Sequence, residues 1–114
     1  MSTESYASDL TFYTTDADPG GRAEFTKNGD IFKVCDIEED GWAVSGAVYD
    51  GNASPVSLPI YWIHAGGKGN CTTAFAGDGG SHNLPEGKTY KLEVCLYHGS
   101  ETNYCRRILM YNNG

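Results

Sequence analysis

Thr89-Tyr-Lys-Leu-Glu-Val-Cys-Leu-Tyr97 has an apolar side chain at every second position, and polar side chains lie between them up to Glu93. Its apolar positions are Tyr90, Leu92, Val94 and Leu96. Trp42-Ala-Val-Ser-Gly-Ala-Val-Tyr49 shows the same alternation. The matching positions are Trp42, Val44, Gly46 and Val48. Because successive side chains of a β-strand point to opposite faces, each stretch predicts a strand with one buried face, and we expect the two faces to meet in the core.

Similar runs recur along the chain, separated by turn-forming clusters such as Asn28-Gly29. We predict strands at Leu10–Thr15, Arg22–Thr26, Ile31–Asp36, Trp42–Tyr49, Leu58–His64, Cys71–Phe75, Thr89–Tyr97 and Tyr104–Tyr111. No window of about 11 residues has a helical apolar period free of Gly and Pro. The pattern predicts an all-β fold, a small antiparallel β-sandwich of about 7–8 strands with little or no helix. We expect residues 9–114 to form a single domain, and residues 1–8 to be a disordered or extended segment.

Four cysteines in a chain of 114 residues allow three disulfide pairings. The sequence has no C-x-x-C, which disfavours a zinc ribbon or a thioredoxin-type site. Cys95 and Cys105 lie on two β-rich runs joined by a polar segment that contains Gly99, so a hairpin closed by its own disulfide is the simplest geometry. Cys35 would then pair with Cys71, although the sequence alone leaves the other two pairings open. Disulfides indicate a secreted, extracellular protein.

Several turn and core positions resemble a recurrent pattern in small secreted proteins of filamentous actinobacteria. The matching segments are Phe25-x-x-x-Gly29-Asp30-x-Phe32-x-Val34-Cys35-Asp36, Asp40-Gly41, the Gly-rich sequence up to Cys71, and Leu84-x-Glu86-Gly87-x-x-x-x-Leu92-x-Val94-Cys95. The resemblance covers roughly residues 22–105 and implies an exported, non-catalytic β-sandwich with two disulfides. Some small exported proteins of these bacteria are parts of larger secreted assemblies, including antagonistic toxin complexes. No functional residue is carried over from the resemblance.

The charge is divided unevenly along the chain. Residues 1–57 contain 11 acidic and 3 basic residues, whereas residues 58–114 contain 4 acidic and 5 basic ones. A nucleic acid or an anionic membrane needs a basic face, and Arg106-Arg107 is the only pair of adjacent bases, so we expect neither partner. No apolar run approaches the roughly 20 residues of a membrane span. The acidity favours a cationic partner.

The acidic segment Asp36-Ile-Glu38-Glu39-Asp40-Gly41 has the first positions of a calcium loop, with carboxylates at positions 1, 3 and 5 and Gly at position 6. The twelfth position is Ala47, where such a loop needs a bidentate Glu. We therefore interpret the segment as a charged hairpin turn. Weak calcium binding, helped by Asp16 and Asp18, is the alternative. We propose Asp36, Glu38, Glu39 and Asp40 as part of a binding surface.

Catalytic chemistry finds little support in the sequence. His64, His82 and His98 lie at spacings that match no triad or metal motif, and we interpret them as exposed loop residues. Paired carboxylates could indicate glycoside hydrolysis, but a small sandwich rarely forms the deep cleft that it needs. We expect no enzyme activity, no cofactor and no metal site.

The segment from Leu96 to Tyr104, closed by the predicted Cys95–Cys105 bond, is the other candidate binding element. Such a ring is pre-organised, which lowers the entropic cost of recognition. We propose Tyr97, Glu101 and Tyr104 as binding residues, because amphipathic tyrosine rings suit protein interfaces and sugar stacking alike. The sequence thus favours a secreted, non-enzymatic module that binds another protein, and the resemblance implies a place in an extracellular assembly or antagonistic toxin complex. The alternatives are a lectin-like, carbohydrate-binding domain and a protease inhibitor that presents the 95–105 loop.

Overall fold

The computed structural model describes residues 9–38, 41–54 and 57–113, so that segment 1–8 and the predicted binding residues Glu39 and Asp40 lie outside it. Eight β-strands form in this part of the chain. They are β1 (Leu10–Tyr13), β2 (Gly21–Thr26), β3 (Ile31–Asp36), β4 (Ala43–Asp50), β5 (Tyr61–Ala65), β6 (Cys71–Ala74), β7 (Lys88–His98) and β8 (Glu101–Asn112). Two single 3-10 turns, Ala76–Asp78 and Gly80–His82, follow β6. The predicted all-β class is confirmed.

The strands form two four-stranded antiparallel sheets, with the order β1-β2-β3-β6 in the first and β5-β4-β7-β8 in the second. The core lies between the sheets. Val44 and Val48 of β4 and Leu92 and Val94 of β7 are fully buried there, as predicted. The two strands do not face each other, however: they are neighbours in one sheet, so their apolar side chains form one continuous face that packs against the first sheet. At Gly46 the sheets come so close that a Cβ atom would lie 2.5 Å from Cγ1 of Val34. Only glycine fits at this position.

Both predicted disulfides form, and each joins neighbouring strands of one sheet. Cys35–Cys71 links β3 to β6, and Cys95–Cys105 links β7 to β8. The second bond lies at a bulge, where the register of β7 against β8 shifts between Val94 and Leu96. Each cross-link therefore reinforces a pair of strands that is already hydrogen-bonded.

A buried polar contact ties the end of β8 to the β2–β3 turn. Asp30 is 6% exposed, and its carboxylate accepts hydrogen bonds from the backbone N–H of Leu84 (3.0 Å) and from Nδ2 of Asn112 (3.0 Å). Burial of a carboxylate without hydrogen-bond donors is costly, so these two bonds offset the cost of removing the Asp30 carboxylate from water. They fix the last residue of β8 against the opposite sheet.

No helix within the described residues is long and apolar enough to cross a membrane.

Candidate functional site

The described part of the acidic turn is largely engaged in holding the fold. Asp36 is 2% exposed, and its carboxylate accepts hydrogen bonds from the N–H of Gly67 (2.9 Å) and of Glu38 (3.3 Å). Its carbonyl oxygen accepts one from the N–H of Gly69 (2.7 Å). Asp36 thus anchors the Gly-rich 66–69 loop, and Glu38 beside it is half-buried. A binding role for these residues stays a prediction.

The segment predicted as a disulfide-closed loop is a tight hairpin. Strand pairing continues to His98 opposite Glu101, which leaves Gly99 and Ser100 as the turn. Gly99 has φ 62°, the left-handed conformation that short hairpin turns require. Glu101 is exposed at the start of β8. Residues 95–105 thus form a continuation of the sheet with a two-residue turn instead of an extended loop, and the protease-inhibitor alternative stays a prediction.

Tyr104 lies at the bulge of β8. Its φ of 57° is rare for a residue with a side chain, and its ring is 52% exposed. The N–H of Thr15, two residues beyond the end of β1, donates to the carbonyl oxygen of Tyr104 (3.0 Å). The bulge thus joins the edge of the second sheet to the first sheet, and the side chain is available at the surface.

Three aromatic rings line the outer face of the second sheet near the β7–β8 hairpin. Trp62, on β5, is 57% exposed and stacks on His64, with ring centroids 5.1 Å apart and an angle of 27° between the planes. His64 in turn contacts Tyr97 of β7 edge-on at 5.8 Å. Tyr97 lies on the face of Lys91 and Glu93, as its alternation predicts. Trp62 was missed as a site residue, because alternation places Trp62 and Tyr61 on opposite faces but does not show which of the two faces outward.

A charged cluster lies farther along the same face. The Arg107 guanidinium donates to Oε2 of Glu93 (2.9 Å from Nη2) and lies 4.2 Å from the centroid of the Tyr49 ring. The Tyr49 hydroxyl donates to Oε1 of Glu93 (3.2 Å). Partial burial, followed by the negative charge of Glu93, raises the pKa of Tyr49 above its ordinary value, against the opposing effect of Arg107. Because the Tyr49 hydroxyl and the Arg107 guanidinium both donate to the Glu93 carboxylate, the three side chains hold one another in a fixed orientation.

A groove of about 320 Å³ runs between the three aromatic rings and the charged cluster. Small residues of the two central strands line it, among them Ser45, Ala47 and Cys95, and Trp62 and Tyr97 are at its sides. Glu93, Tyr49, Ser100 and Thr102 complete its polar lining. We call this feature the aromatic groove.

The edge strand β8 carries a second exposed feature. Leu109 is 66% exposed and Tyr111 is 53% exposed, and both side chains alternate with the inward-facing Met110. In the described part of the chain, β8 has one neighbouring strand, β7. Every second residue of such an edge strand points its backbone N–H and C=O away from the sheet. We call the outward edge of β8 from Arg107 to Asn112, with Leu109 and Tyr111, the β8 strip.

The remaining titratable clusters have structural partners. The Nδ1–H of His82 donates a hydrogen bond to Oδ2 of Asp78 (3.0 Å), and the ring packs on Tyr61, while His98 packs on Trp42. Each of the three histidines therefore lies against a different aromatic ring. Glu93 lies close to the sulfur atoms of Cys95 and Cys105, but these are joined to each other and offer no thiolate to a metal.

Comparison of the chain with known proteins gives no match to a family model, to a curated protein or to a solved structure. The resemblance to secreted actinobacterial proteins stays a prediction.

Proposed function

We propose that the protein is a secreted, non-enzymatic binding module and that it binds another protein through the β8 strip. The observation that carries this proposal is that β8 has only one neighbouring strand among the described residues and carries two large, exposed apolar side chains, Leu109 and Tyr111. Exposed apolar side chains beside unpaired backbone groups are the features that strand-adding partners recognise.

Beyond Arg107, whose guanidinium is bonded to Glu93, the strip lacks the protections that natural edge strands usually carry. Between Arg107 and Asn112 the sequence has neither proline nor lysine, and the bulge lies earlier, at Tyr104. Because an unprotected edge of this length invites aggregation, a dedicated partner strand explains why it is retained. The net charge of −7 favours a basic partner, in an assembly of the kind that the sequence resemblance implies.

Capture from the culture fluid of the producing organism tests this proposal. The immobilised protein is compared with Leu109→Lys, which places a charge on the strip, and with Leu58→Lys, which alters a side chain that is 89% exposed outside any strand. We expect a protein that the parent and Leu58→Lys retain and that Leu109→Lys loses. Equal retention by all three, or no retained protein with the parent, contradicts the proposal.

A further inference from the structure

The floor of the aromatic groove cannot recognise a ligand through its backbone. Ser45 and Ala47 belong to β4, which is paired with β5 on one side and with β7 on the other. Cys95 belongs to β7, which lies between β4 and β8. Because the ladder bonds of a central strand already use its N–H and C=O groups, an added peptide strand finds no main-chain partners here. A ligand of this groove must be held by side chains.

The aromatic side chains of the groove are held in place before any ligand arrives. His64 stacks against Trp62 and meets Tyr97 with its edge, so that one ring sets the orientation of both. Trp62 nevertheless leaves more than half of its surface exposed. Ordered aromatic rings offer a flat apolar surface at low entropic cost.

The polar side chains of the groove are oriented and their charges are balanced. Arg107 and the Tyr49 hydroxyl hold the Glu93 carboxylate, and Arg107 compensates its charge. Ser45, Ser100 and Thr102 add hydroxyl groups to the lining. A compensated site discriminates against a charged ligand, since such a ligand would lose its hydration without gaining a free counter-charge. The groove is therefore suited to a neutral ligand that has both hydroxyl groups and flat apolar faces.

We infer that the aromatic groove binds a neutral saccharide chain, with sugar rings stacked on Trp62 and Tyr97 and hydroxyl groups bonded to Glu93 and to the hydroxyl side chains. From the row of Tyr49 to the row of Ala43 and Tyr97, the groove spans seven residues of β4, whose six steps cover about 20 Å of strand. This length accommodates a linear chain of several sugars. The site goes beyond the proposed protein binding, because β4, β5, β7 and the β7–β8 hairpin line the groove, whereas strand addition uses the outward backbone groups of β8 from Arg107 to Asn112, none of which lines the groove.

Titration with defined oligosaccharides tests this inference. The probes are the neutral tetrasaccharides cellotetraose, laminaritetraose, mannotetraose and chitotetraose, with the anionic tetragalacturonate as the comparison. The readout is the set of amide and indole N–H resonances of the labelled full chain. We expect at least one neutral probe to shift the Trp62 indole and the Tyr97 amide with a Kd of about 1 mM or tighter. The inference is overturned if none of the four neutral tetrasaccharides shifts these resonances, or if tetragalacturonate binds more tightly than every neutral probe.

Variants separate this site from the other surfaces. Trp62→Ala and Tyr97→Ala should each weaken saccharide binding by about tenfold or more. Phe75→Ala, which removes an aromatic ring that is 45% exposed elsewhere, should leave it unchanged, as should Leu109→Lys. Undiminished binding by both groove variants overturns the inference. The titration of the wild-type protein needs no variant, so a folding defect in Trp62→Ala cannot hide its result. The protein-capture experiment with Leu109→Lys is a separate measurement, and its failure would leave the saccharide result unaffected.

Discussion

At the scale of single residues, two buried tyrosines differ in whether the hydroxyl has a partner. Tyr90 donates to the carbonyl oxygen of Pro85 at 2.7 Å, whereas the buried Tyr61 hydroxyl has no hydrogen-bond partner among the described residues. An unsatisfied buried polar group costs about 1–3 kcal/mol, and a satisfied one contributes about 1 kcal/mol. We therefore expect Tyr61→Phe to raise the free energy of unfolding by about 1 kcal/mol and Tyr90→Phe to lower it by about as much. Urea denaturation of both variants measures this, and a loss of stability in Tyr61→Phe would contradict the assignment.

The same tyrosines make stability sensitive to alkaline pH. Burial is the main reason that the pKa of Tyr61, Tyr90 and Tyr49 is raised, and for Tyr61 the nearby Asp30 and Asp78 add to it. The folded chain therefore keeps these phenols protonated where the unfolded chain, with an ordinary pKa near 10, ionises them. The free energy of unfolding should be constant with respect to these groups below about pH 10 and fall above it. Denaturation at several pH values, with absorbance of phenolate as the probe of ionisation, checks this, and Tyr61→Phe should show a smaller fall.

The two faces of β7 give a further test at residue scale. Val94 is fully buried, whereas Tyr97 is half-buried on the outer face. Val94→Ala should cost roughly 2–5 kcal/mol, and Tyr97→Ala about 1 kcal/mol. Thermal melts compare the two variants directly. Equal destabilisation would mean that the two faces are wrongly assigned.

At the scale of elements, alternation predicted all eight strands, and Ile31–Asp36 matches the structure at both ends. β8 begins at Glu101, three residues before its predicted start, because pairing with β7 overrides the weak strand preference of Glu101 and Asn103. β5 begins only at Tyr61, since Pro59 has no N–H to contribute to a ladder. The bulge at Tyr104 was not predictable from the sequence, because a residue other than glycine adopts the positive φ there. The pairing of strands into sheets, and hence the aromatic groove, depends on contacts that a local pattern does not contain.

The acidic turn offers a test of an element. The Asp36 carboxylate accepts hydrogen bonds from two backbone N–H groups, so its oxygen atoms are already occupied and it is a poor calcium ligand. Any calcium binding by the turn should therefore be weak. Millimolar calcium should raise the melting temperature only slightly, through preferential binding to the folded chain. A large rise at micromolar calcium would show a true calcium site.

At the scale of the whole molecule, the two disulfides close loops of separation 36 and 10 within separate sheets. Loop-entropy arguments give roughly 4 kcal/mol for the longer loop and roughly 3 kcal/mol for the shorter one, which is comparable with the entire stability of a small domain. We expect reduction of both bonds to unfold most of the chain at room temperature. Circular dichroism in the presence of a reductant measures this, and a retained cooperative melt would show that the core alone suffices.

Amide hydrogen exchange of the protein with and without its captured partner tests the proposed function most directly. Strand addition at the β8 strip should slow the exchange of amides between Arg107 and Asn112, because a partner strand pairs with the outward N–H groups. The amides of β6, at the edge of the first sheet, should be unchanged. Protection confined to the acidic turn or to β6, with none in β8, would contradict the account.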